Sequence, residues 1–244
     1  MLLYSKKFYN ENLFSGDSSA EELVKFIFKI FIPSNTIDIG CSTGLFLNKF
    51  VERGVEDVVG VDGPWVPLNL LAIPRGKFKI HNITKPFIIE RKFDLALCLE
   101  VAEHIPKDSA ETLIDTLTGF SDRILFSAAI PGQGGTHHIN EQWPTYWITK
   151  FSKRGYVFID LRPYIWSNPK ILPWYRQNLF LFIRPNYLND YLEKLKSINL
   201  SDFTNIVHPE IFESICYVNK RSLYRLVRSV AVYGKRLFVT LITR

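Results

Sequence analysis

The chain has 244 residues, 47% of them apolar and 22% charged, with three cysteines and a formal net charge of +6. A chain of this length buries a full core without disulfides or a metal staple, and its composition excludes a disordered protein. The opening MLLYSKKFYN lacks the apolar run of a signal peptide, and no stretch approaches the ~18 apolar residues of a membrane span, so a cytoplasmic location is expected.

Ser18 and Ser19 suit a helix cap, Glu21 and Glu22 suit its positive end, and the apolar run to Ile30 stops before Pro33. Five β-branched runs follow, at residues 36–40, 57–62, 77–83, 93–100 and 123–130. Helical spacing lies between the first two, at Leu45, Phe46, Phe50 and Val51, closed by Gly54. It lies again before the fifth, at Leu113, Ile114 and Leu117, with Ser109 as cap. Buried strands alternating with helices predict a doubly wound, mostly parallel α/β sheet with right-handed crossovers. Two further strand-like runs, 156–166 and 178–185, are joined by a Pro/Trp stretch without a clear helix, and they predict a terminal antiparallel hairpin. Seven strands result. Residues 1–185 are expected to form this domain and 186–244 a helical extension. That extension ends in a basic amphipathic segment: residues 220–244 hold seven basic side chains and no acid, while the rest of the chain is near neutral.

The first strand runs into Asp38-Ile-Gly40-Cys-Ser42-Thr-Gly44 and then a helix, and the second ends in Asp62. A strand-ending carboxylate can accept both hydroxyls of a ribose. Dinucleotide sites instead place G-x-G-x-x-G at a helix N-terminus, where amides receive a pyrophosphate. Here the glycines are spaced G-x-x-x-G with Asp38 beside the turn. A carboxylate there repels phosphate and attracts an ammonium or sulfonium group, which favours S-adenosylmethionine over NAD.

With these residues in place, 36–130 resembles the class I S-adenosylmethionine-dependent methyltransferases, especially the broad group that includes ubiquinone-pathway O-methyltransferases. The shared features are the D-x-G-x-x-x-G turn, Asp62, Asn82 after the third strand, and CLEVAEHIP after the fourth. The resemblance implies that Asp38, Gly40, Ser42, Gly44 and Glu100 surround the amino-acid part of the cofactor. It also implies that Asp62 holds its ribose and that Asn82 lies near its adenine. Ser42 replaces a commoner glycine, and Asn82 a commoner aspartate.

The fourth strand carries Leu99-Glu100-Val101-Ala102, without the D/N-P-P-Y/F of nucleobase amino-group methyltransferases or the Pro-Cys of cytosine C5 enzymes. Oxygen or carboxylate acceptors remain. Glu100, Glu103 and His104 are spaced to share one helical turn, and a glycine-rich loop after the fifth strand carries His137 and His138. This E-x-x-E-H with a later histidine resembles the Mg²⁺ or Mn²⁺ site of small-RNA 3′-terminal 2′-O-methyltransferases. By that resemblance Glu100, Glu103, His104 and His138 are candidate metal ligands, and the ion would lower the pKa of a chelated hydroxyl. Without an ion, His138 is the candidate general base, with Glu103 and His104 beside it.

The aromatic and amide-rich stretch 164–178 suits a sugar or aromatic ring. The expectation is O-methylation of a sugar-like or other small hydroxyl acceptor. RNA ribose 2′-O-methylation and a non-catalytic nucleotide-binding scaffold are the alternatives. Residues 220–244 could lie on a membrane surface or, with less support, hold nucleic acid.

Overall fold

In a computed structural model, the described residues are 6–195, with side chains from residue 16 onward, together with Val207 and Ile211. The chain divides into two compact units, Met1–Ile206 and Val207–Arg244, and the sheet and the cavity belong to the first. Residues 220–244, read from sequence as a basic amphipathic helix, lie outside the described residues. No described helix is long and apolar enough to cross a membrane.

Seven strands form one sheet: β1 (Asn35–Ile39), β2 (Asp57–Asp62), β3 (Phe78–Ile80), β4 (Leu95–Leu99), β5 (Arg123–Ser127), β6 (Val157–Asp160) and β7 (Phe180–Ile183). Their order is β3-β2-β1-β4-β5-β7-β6; the first five are parallel, and β7 runs antiparallel to both β5 and β6. The doubly wound sheet with a terminal hairpin is therefore as expected.

The two-residue period of each strand feeds two cores. On β4, Leu95, Leu97 and Leu99 face one side with α1 (Lys6–Ile30) and α2 (Leu45–Val51), while Ala96 and Cys98 face the other with α3 (Ala110–Phe120) and α4 (Pro144–Ser152). α5 (Arg162–Ile165), α6 (Pro173–Asn178) and α7 (Leu188–Leu195) follow. Tyr191 and Leu195 of α7 are buried in the first core, so the stretch after 185 begins by packing on the sheet's own domain.

Several local readings change. α1 begins at Lys6, so Ser18 and Ser19 lie inside it, where they cap nothing. Ser19 is fully buried, and its hydroxyl accepts the Leu172 amide at 2.9 Å. Burial of Leu23, Val24, Ile27 and Ile30, each worth roughly 1.5–3 kcal/mol, sustains the helix in place of a cap. Ser109 does occupy the cap position of α3, but its side chain makes no capping bond. The stretch joining β6 to β7 contains two helices. α6 starts at Pro173, where a missing N–H costs nothing, and it buries Arg176, Gln177 and Asn178, an inverted pattern that hides a helix from hydrophobic periodicity.

Candidate active site

The sheet order reverses between β1 and β4, and doubly wound sheets open a crevice at the carboxyl ends of such strands. A cavity of about 390 Å³ lies there, lined by the β1–α2 turn, Asp62, Trp65, the β4 exit, the 133–138 loop, and Trp174 and Tyr175 of α6. Gly16 of α1, Phe46 and Ile83 also line it.

The β1–α2 turn is shaped by its glycine and tied to β2. Gly40 has φ +84°, and a Cβ on it would fall 2.4 Å from Val101 Cγ2, so both backbone and neighbour exclude a side chain. Ser42 adopts φ 51°, and its amide donates to Asp62 Oδ2 at 2.7 Å; the Gly63 amide donates to Oδ1 at 2.6 Å. The Trp65 indole also donates to this carboxylate. Asp62 therefore fastens the first turn to the second as well as facing the cavity. Burial raises its pKa while these three donors pull it down.

Asp38 lies beside it, nearly inaccessible. Burial first, then the Asp62 charge, pushes its carboxyl up to about 7. Two buried carboxylates at the cavity floor fit a cationic ligand group such as an ammonium or sulfonium. The sign of the pH dependence follows. Native Asp38 keeps a proton that the unfolded chain loses above about pH 4, so its contribution to stability falls as pH rises toward 7. A bound cation favours the ionised form. S-adenosylmethionine affinity, measured by calorimetry, is therefore expected to be roughly tenfold or more weaker at pH 5.5 than at pH 7.5. Asp38→Asn should flatten that dependence, and an unchanged slope in the variant would assign it elsewhere.

Asn82 does not line the cavity. It is exposed, and its Oδ1 accepts the Thr84 amide at 3.1 Å and hydroxyl at 2.8 Å, closing its own turn. Its neighbour Ile83 faces the cavity instead.

At the β4 exit, Glu100 has a left-handed φ of 54°, followed by a single 3₁₀ turn at Ala102–His104. The strained backbone separates Glu100 from that turn, so the three residues expected on one helical turn divide. The Glu100 carboxylate accepts from Asn178 Nδ2 at 3.1 and 3.3 Å and from Gln133 Nε2 at 3.1 Å, while Asn178 also donates to Gln133 Oε1 at 2.9 Å. Burial still holds its pKa above the ordinary range.

Glu103 is fully buried, and neither of its carboxylate oxygens has a hydrogen-bond partner of normal geometry. Burial, and then the neighbouring Glu100 charge, drive its pKa well above the usual carboxylate range. One ligand atom each from Glu103, His104 and His138 lies within 4.8 Å of the others. The His104 and His138 rings meet edge to face at 4.8 Å between centroids. Burial, followed by the His138 charge, lowers His104 to about 4, so its ring is neutral at physiological pH. The ring also bonds the His137 backbone, and the Ile139 and Asn140 amides both reach the Glu103 carbonyl, at 2.9 and 3.0 Å. The histidine loop and the β4 exit thus form one assembly.

A buried carboxyl short of well-aligned donors and two imidazoles fit a divalent cation; imidazole favours the transition series, and carboxylate also admits Mg²⁺ or Mn²⁺. Of the four candidate ligands, Glu103, His104 and His138 converge, while Glu100 stands beside them in its amide clasp. His137 is exposed with a left-handed φ of 62° and does not line the cavity. Sequence reasoning misses Trp65 and Gln133, and it places Asn178 only within the amide-rich stretch 164–178 and Glu141 only beside the histidine loop, without their contacts. Gln133 and Asn178 stand 45 residues apart, and only the fold brings them to Glu100.

A doubly wound sheet with this strand order, and carboxylates at the ends of β1 and β2 facing one cavity, defines a nucleoside-cofactor fold. A family model described as a methyltransferase domain matches residues 9–123. No relative among curated proteins matches the sequence. Several solved structures share the fold. The sugar N-methyltransferase KedS8 from Streptoalloteichus sp. superposes with a TM-score of 0.58 at 13% identity, over 74% of this chain and 93% of that one. The methyltransferase domain of the bacterial protein CtHen1 gives 0.52 at 17%, over 68% and 97%. The magnesium protoporphyrin IX methyltransferase of Synechocystis, with bound S-adenosylmethionine, gives 0.51 at 15%, over 74% and 86%. Residues 9–123 thus match a methyltransferase-domain model, and the chain has the fold of these methyltransferases, one of them solved with S-adenosylmethionine bound. The family match ends before the histidine loop, so the acceptor side of the cavity rests on its own geometry.

Proposed function

We propose that the protein methylates an oxygen of a neutral, sugar-like hydroxyl acceptor, with Glu103, His104 and His138 holding a divalent cation beside the transferred methyl group. The observation that carries this reading is the buried Glu103 carboxyl, without a hydrogen-bond partner of normal geometry, converging with two imidazoles at the cavity wall. A buried carboxylate costs free energy unless a cation or donor faces it. When bound there, a divalent ion would lower the pKa of a chelated hydroxyl.

Asp38 and Asp62 receive the cationic and ribose parts of the cofactor, and Glu100, clasped by Asn178 and Gln133, walls its amino-acid end. Trp174 and Tyr175 supply flat surfaces on which a sugar ring packs. Among the described residues, no lysine or arginine lines the cavity, whose acidic groups are Asp38, Asp62, Glu100 and Glu103. That polarity favours a neutral polyol over a chain of phosphates, and so a small sugar over RNA ribose. Similarity to a sugar N-methyltransferase agrees with a small acceptor.

One observation favours a second mode of activation. His138 is hydrogen-bonded through Nδ1 to Glu141, as an oriented general base would be, and Nε2 could then take the hydroxyl proton without an ion. The test is cofactor consumption against matched panels of sugars, lipids and short RNAs, each with added Mn²⁺ or with chelator. Turnover is expected with vicinal-diol sugars and Mn²⁺. Turnover confined to RNA ends would replace the sugar by ribose, and tight cofactor binding without turnover on any acceptor would support a scaffold.

A further inference from the structure

Glu141 is three residues beyond His138, and its carboxylate does three jobs. Oε1 accepts from His138 Nδ1 at 2.9 Å and from the Gly134 amide at 2.7 Å, while Oε2 accepts the Gly132 amide at 2.7 Å. One side chain thus fixes both the glycine-rich loop and the imidazole standing on it. A carboxylate can only accept, so the bond to Nδ1 requires a proton on that nitrogen. Gly135 lies over the face of the ring at its Nε2 end. A Cβ built on Gly135 would lie 2.3 Å from His138 Nε2 and 2.5 Å from Cε1. Gly134, Gly135 and His138 all line the cavity, and the ring lies this close to the loop only because Gly135 has no side chain.

We propose that Glu141 is a positioning residue that holds His138 in the Nδ1–H tautomer, and that the bare backbone of Gly135 makes the room in which the ring takes up this position, leaving the lone pair on Nε2. The inference rests on the functional reading above for its consequence, since an Nε2 lone pair serves equally to ligate an ion or to accept the acceptor's proton. Ligating histidines are characteristically held through their other ring nitrogen by a carboxylate or carbonyl. Both imidazoles here have such a partner: Glu141 for His138, and the His137 backbone for His104.

The test reads the tautomer directly, in the full chain treated with chelator and without acceptor, so it stands apart from turnover. Long-range ¹H–¹⁵N correlation on imidazole-labelled protein should place the His138 proton on Nδ1 in the wild type. In Glu141→Ala it should move largely to Nε2. A wild-type proton on Nε2 overturns the proposal even if the variant fails to fold, and so does an unchanged Nδ1–H tautomer in a folded Glu141→Ala protein. Turnover of Glu141→Ala should fall about 10–100-fold, as for other groups that orient a ligand or base, with S-adenosylmethionine affinity unchanged. Gly135→Ala should displace the ring from Glu141 and so weaken the preference for the Nδ1–H tautomer and lower turnover; an unchanged tautomer with full turnover there removes Gly135 from the proposal. If the tautomer is as stated but His138→Ala retains full turnover, the functional reading fails and the orientation of the ring stands.

Discussion

His138→Ala is expected to cut turnover by roughly 10²–10⁴-fold while leaving S-adenosylmethionine affinity within about twofold of the wild type. The asymmetry follows from where the ring stands. His138 stands on the loop after β5 with its ring against His104 and beside Glu103, whereas Asp38 and Asp62, to which the cofactor's cationic and ribose groups are assigned above, belong to β1 and β2. A neutral hydroxyl is a poor nucleophile and loses its proton as the C–O bond forms and the C–S bond breaks. His138 serves that loss whether it ligates an ion or takes the proton. His137→Ala should cost far less, because His137 is exposed and does not line the cavity. What His137 supplies is its backbone, to the His104 ring, and alanine retains that group. Its left-handed φ disfavours a Cβ-bearing residue either way, so His137→Gly is the control that keeps the turn. Single-turnover rates and calorimetric affinities for the three variants decide the matter, and equal losses at 137 and 138 would mean that the loop acts only as a structural strap.

Much of this site is legible in the sequence. The turn from Asp38 to Gly44 and the strand-ending Asp62 are local features, set by a strand that must stop and a helix that must start within a few residues. Their placement on β1 and β2 follows directly from the parallel alternation. The pairing of E-x-x-E-H with a distant histidine was also legible, because adjacent parallel strands deliver their exits to the same edge of the sheet. Other features depend on tertiary packing that no local pattern encodes. Asn82 has the right position for an adenine contact, yet its short amide closes its own turn with Thr84, the local competition typical of asparagine. Glu100 has the right spacing for a ligand, yet a left-handed backbone and two amides from 133 and 178 hold it aside. α4 was overlooked although Pro144, Trp147 and Phe151 are buried at helical spacing, because β-branched Thr145, Ile148 and Thr149 blur the local preference. α6 reads as a loop because its buried face is polar.

Removal of divalent ions should abolish turnover, with Mn²⁺ restoring it, and Glu103→Gln should abolish that rescue without destabilising the ion-free protein. The second half is the sharper claim. A buried carboxylate that accepted ordinary hydrogen bonds would lose about 1–3 kcal/mol on replacement, because its donors would be left unpaired. The Glu103 oxygens meet only the backbone amides of Glu103 and Ala129, outside normal hydrogen-bond geometry, and a glutamine carbonyl can still receive these; burial with Glu100 nearby raises the Glu103 pKa well above the ordinary range. Native Glu103 therefore keeps its proton to higher pH than the unfolded chain does, so its contribution to stability declines as pH rises. Glutamine has nearly the same shape and no ionisation to suppress. The ion-free variant should thus be at least as stable as the wild type at pH 8, and its margin should shrink toward pH 5. With Mn²⁺ at about 100 times its dissociation constant, the wild type should gain about 2.7 kcal/mol and the variant almost none. Denaturant titrations with chelator and with Mn²⁺ at two pH values give all the required comparisons. Full turnover after exhaustive chelation, together with a Glu103→Gln protein destabilised equally with and without ion, would make the carboxylate a structural acceptor and leave His138 as the base.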